Sequence, residues 1–325
     1  MVYLNSDIFL SNEILVLLTV ETVVLILQFI SFYFVIKLLK NWDFSSTSSF
    51  QYALEKRSYL VTLLIYFTLF TKTVLYGYFV FTLDTLSNIV PGAMCAAGVL
   101  SSNEYGEPLF ILKSVVLFLS SFWILFNNMD IKEKIFPYFR KKMCLYVIIF
   151  IFLISEFILN ILYFSNISTR SLVTCCSAIY SKTGSGALPF DISVETLLIL
   201  FFTFYIVLVI SNKKKIAVLS ALFSILFLYI SYYAVIYFFG TYIYELPTHH
   251  CPFCMLQSDY YHIGYVIFIS LFVGVFFGVV NMLMKYLTSK EISKYYQYSN
   301  ISITFFVIIC SFYVILYYLR NGVLL

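Results

Sequence analysis

The sequence predicts an all-α, polytopic integral membrane protein with about eight transmembrane helices and both termini outside. Of its 325 residues, 62% are hydrophobic and only 11% are charged. A soluble domain carries about 25% charged residues on its surface, so lipid must cover much of this one. Because apolar runs recur along the whole chain without a soluble-looking block, we expect a single transmembrane domain over 1–325.

Long apolar runs define the predicted spans, since a helix needs about 20 apolar residues to cross the hydrocarbon core. Strands of a membrane barrel would alternate apolar and polar residues, whereas these runs are apolar on all sides and are therefore helical. Lysines 213–215 separate the fifth and sixth runs and predict a tight turn there. The predicted spans are 14–38, 59–83, 109–127, 143–164, 195–211, 216–239, 263–284 and 301–319.

Lysine and arginine are concentrated on alternate connections, which the positive-inside rule assigns to the cytoplasmic side. The basic clusters thus have a role in orientation and indicate no nucleic-acid partner. Before the first apolar run the chain contains Asp7 and Glu13 but none of the basic residues that begin a cleavable signal peptide. We therefore expect the first span to stay uncleaved, in the cell (inner) membrane. The remaining connections become outer, periplasmic loops, at about 84–108, 165–194 and 240–262.

Five of the seven cysteines fall in these predicted outer loops, where the compartment is oxidising. Cysteines in such a place tend to be paired in disulfides, redox-active or bound to metal. Their shared location suggests that the loops meet. The five are Cys95, Cys175, Cys176, Cys251 and Cys254.

The sequence HHCPFC in the third outer loop is the strongest candidate site. Pro252 suits the first turn of a helix, which would place Cys251 at the N-cap of the helix leading into the seventh span. A helix N-terminus stabilises a thiolate, and protonated His249 and His250 would stabilise it further. Cys254 follows one turn later on the same face, so the pair is a candidate dithiol–disulfide catalytic site.

CPFC at the outer end of a membrane helix resembles the C-x-x-C of the DsbB and vitamin K epoxide reductase families of membrane thiol oxidoreductases. The resemblance implies that Cys251 and Cys254 are a pair beside a bound quinone. It also implies that electrons arrive from a soluble periplasmic thiol protein through a second pair. Cys175 with Cys176, or Cys95 with one of them, would form that relay.

Two other interpretations remain open. Thiolates, thioethers and imidazoles are ligands that suit copper or zinc, and a zinc site needs about four of them. The candidate ligands are His249, His250, Cys251, Cys254 and Met255, with Cys175 and Cys176 if the loops meet. Alternatively, the cysteines form structural disulfides in a permease or assembly subunit.

Charged residues also occur within the predicted spans, where they are costly and usually face a partner or a cavity. Lys72 lies in the second span, and Glu156 lies in the fourth with Asn160 one turn further on. Glu21 and Lys113 lie in the first and third spans. They indicate either a quinone pocket, proton path or substrate route, or an ion pair between Lys72 and Glu156 or Glu21.

Overall fold

The structure is a computed structural model that describes residues 6–42, 48–133, 136–168, 172–173, 192–288 and 292–325. No strand occurs in these ranges. Among the described residues, eight helices are long and apolar enough to cross a membrane, which agrees with the predicted number of candidate spanning helices. They are α1 (Asn12–Asn41), α2 (Ser49–Leu86), α3 (Gly106–Ile131), α4 (Phe139–Ser165), α5 (Val194–Lys213), α6 (Ala217–Tyr244), α7 (Ile263–Thr288) and α8 (Ser293–Asn321).

Several helices extend beyond the apolar runs. α2 begins at Ser49 rather than near residue 59. The polar segment that precedes the apolar run contains good helix formers, and the Ser48 hydroxyl caps the start of the helix. α6 continues past the predicted end at 239 through a π-helical turn, Val235–Phe239, to Tyr244. The first residues of the predicted loop 240–262 are therefore helical.

The chain divides into two compact units, and the first comprises Met1–Gly92 and Val99–Val173. In it α1 packs on α2, α2 on α3, α3 on α4 and α4 on α1, so that the helices form a closed ring. Lys142, just before the predicted fourth span, is buried in an ion pair with Asp130 at 2.7 Å. The expectation of a single transmembrane domain stays a prediction.

The second unit comprises Ala93–Gly98 and Thr174–Leu325. α5 packs on α6, α6 on α7, α7 on α8 and α8 on α5. Close approach depends on glycine: a Cβ at Gly274 would lie 2.3 Å from an atom of Ile303, and one at Gly278 would lie 1.9 Å from the Ser224 hydroxyl. The segment around Cys95 and the connection between α6 and α7 both belong to this unit, so the candidate site lies within it.

Candidate functional site

Three thiols from two distant parts of the chain meet in the second unit. The Sγ atoms of Cys95 and Cys251 lie 3.5 Å apart. Among the described residues, the sulfur atoms of Cys95, Cys251 and Cys254 all lie within 4.8 Å of one another. The three residues are 0%, 2% and 6% exposed. The first and third predicted outer loops therefore meet at their cysteines.

The segment that carries Cys95 is held by backbone contacts. The amide of Gly98 donates to the Cys95 carbonyl at 3.0 Å, which starts the short helix Ala96–Leu100. A Cβ at Gly98 would lie 3.1 Å from Ala93, so small residues allow this turn to close. The Gln257 side-chain amide donates to the Met94 carbonyl at 2.9 Å and ties this segment to the stretch after CPFC.

A tyrosine at the end of α6 organises the CPFC stretch. The buried hydroxyl of Tyr244 donates to the Cys251 carbonyl and accepts a bond from the Met255 amide at 3.0 Å. The chain leaves α6 through Glu245, which has a left-handed backbone with φ of 54°. It forms turns and a 3₁₀ turn at Cys254–Leu256 before reaching α7. One side chain thus fixes the backbone on both sides of Cys254.

Cys251 does not lie at the N-terminus of a long helix, so that prediction is wrong. α7 begins only at Ile263, and a 3₁₀ turn over Ser258–Tyr260 precedes it. Tyr261 and His262 then adopt φ of 53° and 55°. Consecutive left-handed residues cannot belong to a right-handed helix. The predicted stabilisation of a Cys251 thiolate by the dipole of a long helix is therefore not available.

The adjacent histidines differ in their surroundings. The Nδ1 of His250 lies 3.2 Å from the Ile236 carbonyl, to which it donates. His249 is half-buried, and its ring meets the Tyr244 ring edge-on with centroids 4.3 Å apart. Its buried Nε2 has no hydrogen-bond partner among the described residues. Burial lowers the pKa of His249, which disfavours the protonated form that would help to stabilise a thiolate.

The remaining predicted ligands are not part of the described cluster. A Cβ at Gly264 would lie 2.6 Å from Cγ of Met255, so the Met255 side chain packs against the start of α7. Cys175 and Cys176 lie outside the described residues. Cys95, expected as a relay, lies beside Cys251, and its relay role stays a prediction. The roles of Cys95 in this set and of Tyr244 follow from tertiary contacts that the sequence does not reveal.

The charged residues of the first unit form one buried network, to which each of the helices α1 to α4 contributes. Lys72 lies 2.7 Å from Glu156 and 3.3 Å from Glu21, so both predicted ion pairs are present. Lys113 lies 2.7 Å from Glu156 and 2.8 Å from Glu21. Asn160 also donates to Glu21.

This network balances its charge, with two carboxylates against two ammonium groups. The pairing offsets the cost of burying each ion, although such a network is weak evidence for added stability. Oε2 of Glu156 is buried without a hydrogen-bond partner in the part of the chain that the structure describes. The residues line a small cavity together with Tyr76. Their ion pairs join the four helices to one another. The arrangement does not by itself indicate a reaction.

Comparison of the chain with family models, with curated proteins and with solved structures gave no match. The resemblance of CPFC to membrane thiol oxidoreductases therefore stays an expectation.

Proposed function

We propose that this protein is a multi-pass membrane protein that binds a soft transition-metal ion, copper or zinc, through Cys95, Cys251 and Cys254. The observation that carries the proposal is the convergence of their three buried sulfur atoms within 4.8 Å of one another. A tetrahedral zinc site with Zn–S bonds of about 2.3 Å places its sulfur atoms about 3.8 Å apart. Small side-chain movements would bring the three thiols to that spacing.

Electrostatics is compatible with a metal. Thiolates buried together would repel one another at close range in a low dielectric, and a bound cation would offset that repulsion. Such an ion also keeps coordinating thiols deprotonated. Thiolate ligands select soft ions such as Cu(I) or zinc over hard ones such as Mg²⁺.

The proposed setting is the cell (inner) membrane, with lipid around α1 to α8. The alternation of basic connections supports an orientation in which both termini lie outside. In that orientation the cluster faces the periplasm, the compartment in which metal ions and oxidants arrive from the environment. The tyrosine that fixes the CPFC backbone would hold the ligands in place before the metal binds.

A second candidate is the thiol–disulfide oxidoreductase suggested by CPFC, and the 3.5 Å approach of the Cys95 and Cys251 sulfurs favours it. Closing that gap to the 2.05 Å of a disulfide needs a movement of about 1.5 Å. A quinone would take the two electrons and two protons released and become a quinol. The disulfide would then be reduced by the dithiol of a soluble periplasmic thiol protein.

Burial ranks the metal reading first. A partner protein must reach a sulfur atom to exchange disulfides, and the cluster residues are at most 6% exposed. The reading as a permease or assembly subunit with structural disulfides would need bridges, whereas the structure records these three cysteines as thiols.

The test uses the full chain purified in lipid nanodiscs with a non-thiol reductant. We expect zinc or copper to be retained after dialysis by the native chain. We expect it to be lost by a variant with Cys95→Ser, Cys251→Ser and Cys254→Ser. Cys144→Ser is the matched control, because Cys144 is exposed on α4 in the other unit and its loss should leave the metal content unchanged.

A native chain that holds no metal, or a triple variant that holds as much as the native chain, contradicts the proposal. Thiol mapping by mass spectrometry on the same samples addresses the second candidate. If a disulfide between two cluster cysteines opens with reductant and re-forms on adding a quinone, the oxidoreductase reading replaces the metal reading.

A further inference from the structure

We propose that the interior of the first unit is a narrow, hydrated path along which protons cross the membrane. The path uses α1 to α4 alone, so it goes beyond the proposed function and does not depend on the thiol site. Ionisable and polar side chains inside membrane helices are costly, and in many transporters they form proton relays. The first unit has such side chains along the whole length of its core.

Helix α3 carries a polar stripe through this core. Lys113, Ser120 and Asn127 follow one another at intervals of seven residues, and Asp130 follows one turn later. Seven residues make about two helical turns, so the four side chains share one face. All four are at most 3% exposed. At about 1.5 Å per residue, Lys113 and Asp130 lie about 25 Å apart along the helix. That distance covers most of the hydrocarbon core, which is about 30 Å thick.

Neighbouring helices add polar groups at both ends of the stripe. Lys113, near the start of α3, belongs to the buried ion pairs that α1, α2 and α4 complete. At the other end, Lys142 of α4 lies 2.7 Å from Asp130 and donates to the Asn127 side chain at 3.0 Å. The Tyr138 amide, in the connection between α3 and α4, donates to Asp130 at 3.0 Å. The stripe therefore reaches from the ion-pair network to this connection.

Several buried polar atoms in this core lack a protein partner. Among the described residues, they include Nε2 of Gln28, Oγ of Ser120, Oε2 of Glu156 and Oδ1 of Asn160. Midway along the bundle, the buried Tyr146 hydroxyl donates to the Gln28 backbone carbonyl at 3.0 Å and adds a phenol to the same region. Buried polar atoms are nearly always satisfied, and ordered water satisfies those that the protein does not. These atoms therefore indicate positions for water inside the bundle.

The space along the path suits protons rather than larger ions. The cavity between the ion pairs offers about 10 Å³ to the centre of a water molecule, which is room for about one water. A hydrated ion does not fit there, whereas a proton moves along hydrogen-bonded waters and hydroxyls without a hydration shell. Tyr76 lines this cavity, and its half-buried hydroxyl lies 3.1 Å from that of Ser114.

Conduction along this path changes no bond of the protein permanently. A proton that joins the water at one end passes a proton to the next water or hydroxyl, and the last group releases one at the other end. The proton gradient across the membrane supplies the driving force. The charge-balanced ion pairs keep the interior polar without adding a net charge that would repel the proton.

The double variant Gln28→Leu, Ser120→Ala tests the path, because it removes two of the partnerless groups without adding volume to the core. The matched control is Ser155→Ala, since Ser155 lies on the exposed face of α4 and donates to the Ile151 carbonyl at 3.0 Å. Each full chain is reconstituted into liposomes that contain a pH-sensitive dye. A potassium gradient with valinomycin sets the voltage that drives protons inward.

We expect the native chain and the control to acidify the liposome interior faster than protein-free liposomes. In the double variant the proton flux should fall at least about tenfold, because apolar groups raise the barrier for water and protons in the path. A brief X-ray pulse, which makes hydroxyl radicals from water in place, supplies a second readout. Tyr146 is fully buried, so its labelling in the native chain and much weaker labelling in the double variant would report internal water.

A native chain that conducts no faster than protein-free liposomes overturns the inference, even if Tyr146 is labelled, since the water would then only fill the core. Equal fluxes in the native chain and the double variant also overturn it, as does potassium flux as fast as proton flux. If the double variant does not fold, Ser120→Ala alone decides, because it only removes an atom from a buried position. None of these outcomes bears on metal binding by the three thiols.

Discussion

At the residue scale, Tyr244 has more influence on the site than its position at the end of α6 suggests. Its hydroxyl contacts backbone groups on both sides of Cys254, and its ring contacts both His249 and Tyr260. It touches no sulfur in these contacts. It acts as a positioning residue, because it fixes the backbone from which the cysteine side chains project.

Removing this hydroxyl alone should separate its positioning role from ring packing. Tyr244→Phe leaves the Cys251 carbonyl and the Met255 amide without their partner, at a cost of about 1–3 kcal/mol. We expect zinc affinity to fall about 10–100-fold, as for other groups that orient metal ligands. Chelator competition measures this change, with Tyr261→Phe as the control because Tyr261 is 92% exposed. Equal affinities in both variants would show that the hydroxyl does not organise the site.

At the element scale, contact between α6 and α7 depends on a missing side chain. A Cβ at Gly278 would lie 1.9 Å from the Ser224 hydroxyl, and the two helices flank the connection that carries Cys251 and Cys254. Glycine is needed here for the close approach of two helices, as small residues are at other helix interfaces in membranes.

Gly278→Ala should lower the stability of the folded chain by about 1–3 kcal/mol, because the added methyl group forces the helices apart. Gly77→Ala is a matched control, since a Cβ at Gly77 in α2 would meet nothing within 4 Å. That control should be neutral or more stable by about 0.5–1 kcal/mol, the usual gain for alanine over glycine in a helix interior. Thermal unfolding in one detergent compares them, and equal midpoints would argue against the close helix contact.

At the scale of a whole bundle, the first unit is joined by charges rather than by apolar contacts alone. Glu21, Lys72, Lys113 and Glu156 come from α1, α2, α3 and α4 in turn, and every ion pair joins two helices. Removing one charge leaves an excess of the opposite sign in the interior, which costs about 3–5 kcal/mol.

Glu156→Gln should therefore destabilise the folded chain strongly, since it leaves two lysines facing one carboxylate. Adding Lys72→Met to this variant restores the charge balance and should recover part of the lost stability. Thermal unfolding of the native chain, of each single variant (Glu156→Gln and Lys72→Met) and of the double variant provides the comparison. If the double variant is less stable by the sum of both single changes, the network is not a coupled unit.

Sequence patterns predicted the helices of this molecule well, because hydrophobic length is a property of each segment by itself. They did not predict which helices pack together, because the helices have apolar surfaces of similar composition and any two of them could pack equally well as judged from sequence. The ion pairs of Lys72 were anticipated because charges within apolar runs need partners, but the central position of Lys113 was not. It lies near the start of α3, where an interfacial residue would look the same.

The candidate site was predicted only in part, for similar reasons. CPFC is visible as a local spacing, whereas the approach of Cys95 depends on tertiary folding of a distant segment. The prediction of a long helix starting at Cys251 was wrong because Tyr261 and His262 adopt left-handed backbone conformations. Glycine at these positions would have indicated such a conformation in the sequence, whereas tyrosine and histidine do not. The buried Nε2 of His249, which has no hydrogen-bond partner among the described residues, leaves no trace in the sequence.

The meeting of Cys95 and Cys251 has a consequence for chain connectivity. The two residues are 156 positions apart, so any link between their sulfur atoms closes a large loop of the polypeptide that contains all of α3, α4, α5 and α6. The entropy lost on closing such a loop grows only with the logarithm of the loop length, so closing a long loop costs little more free energy than closing a short one. An ion bound to both thiols would therefore connect the two ends of this loop. If the chain were cut between Cys95 and Cys251, the ion would still hold the two fragments together.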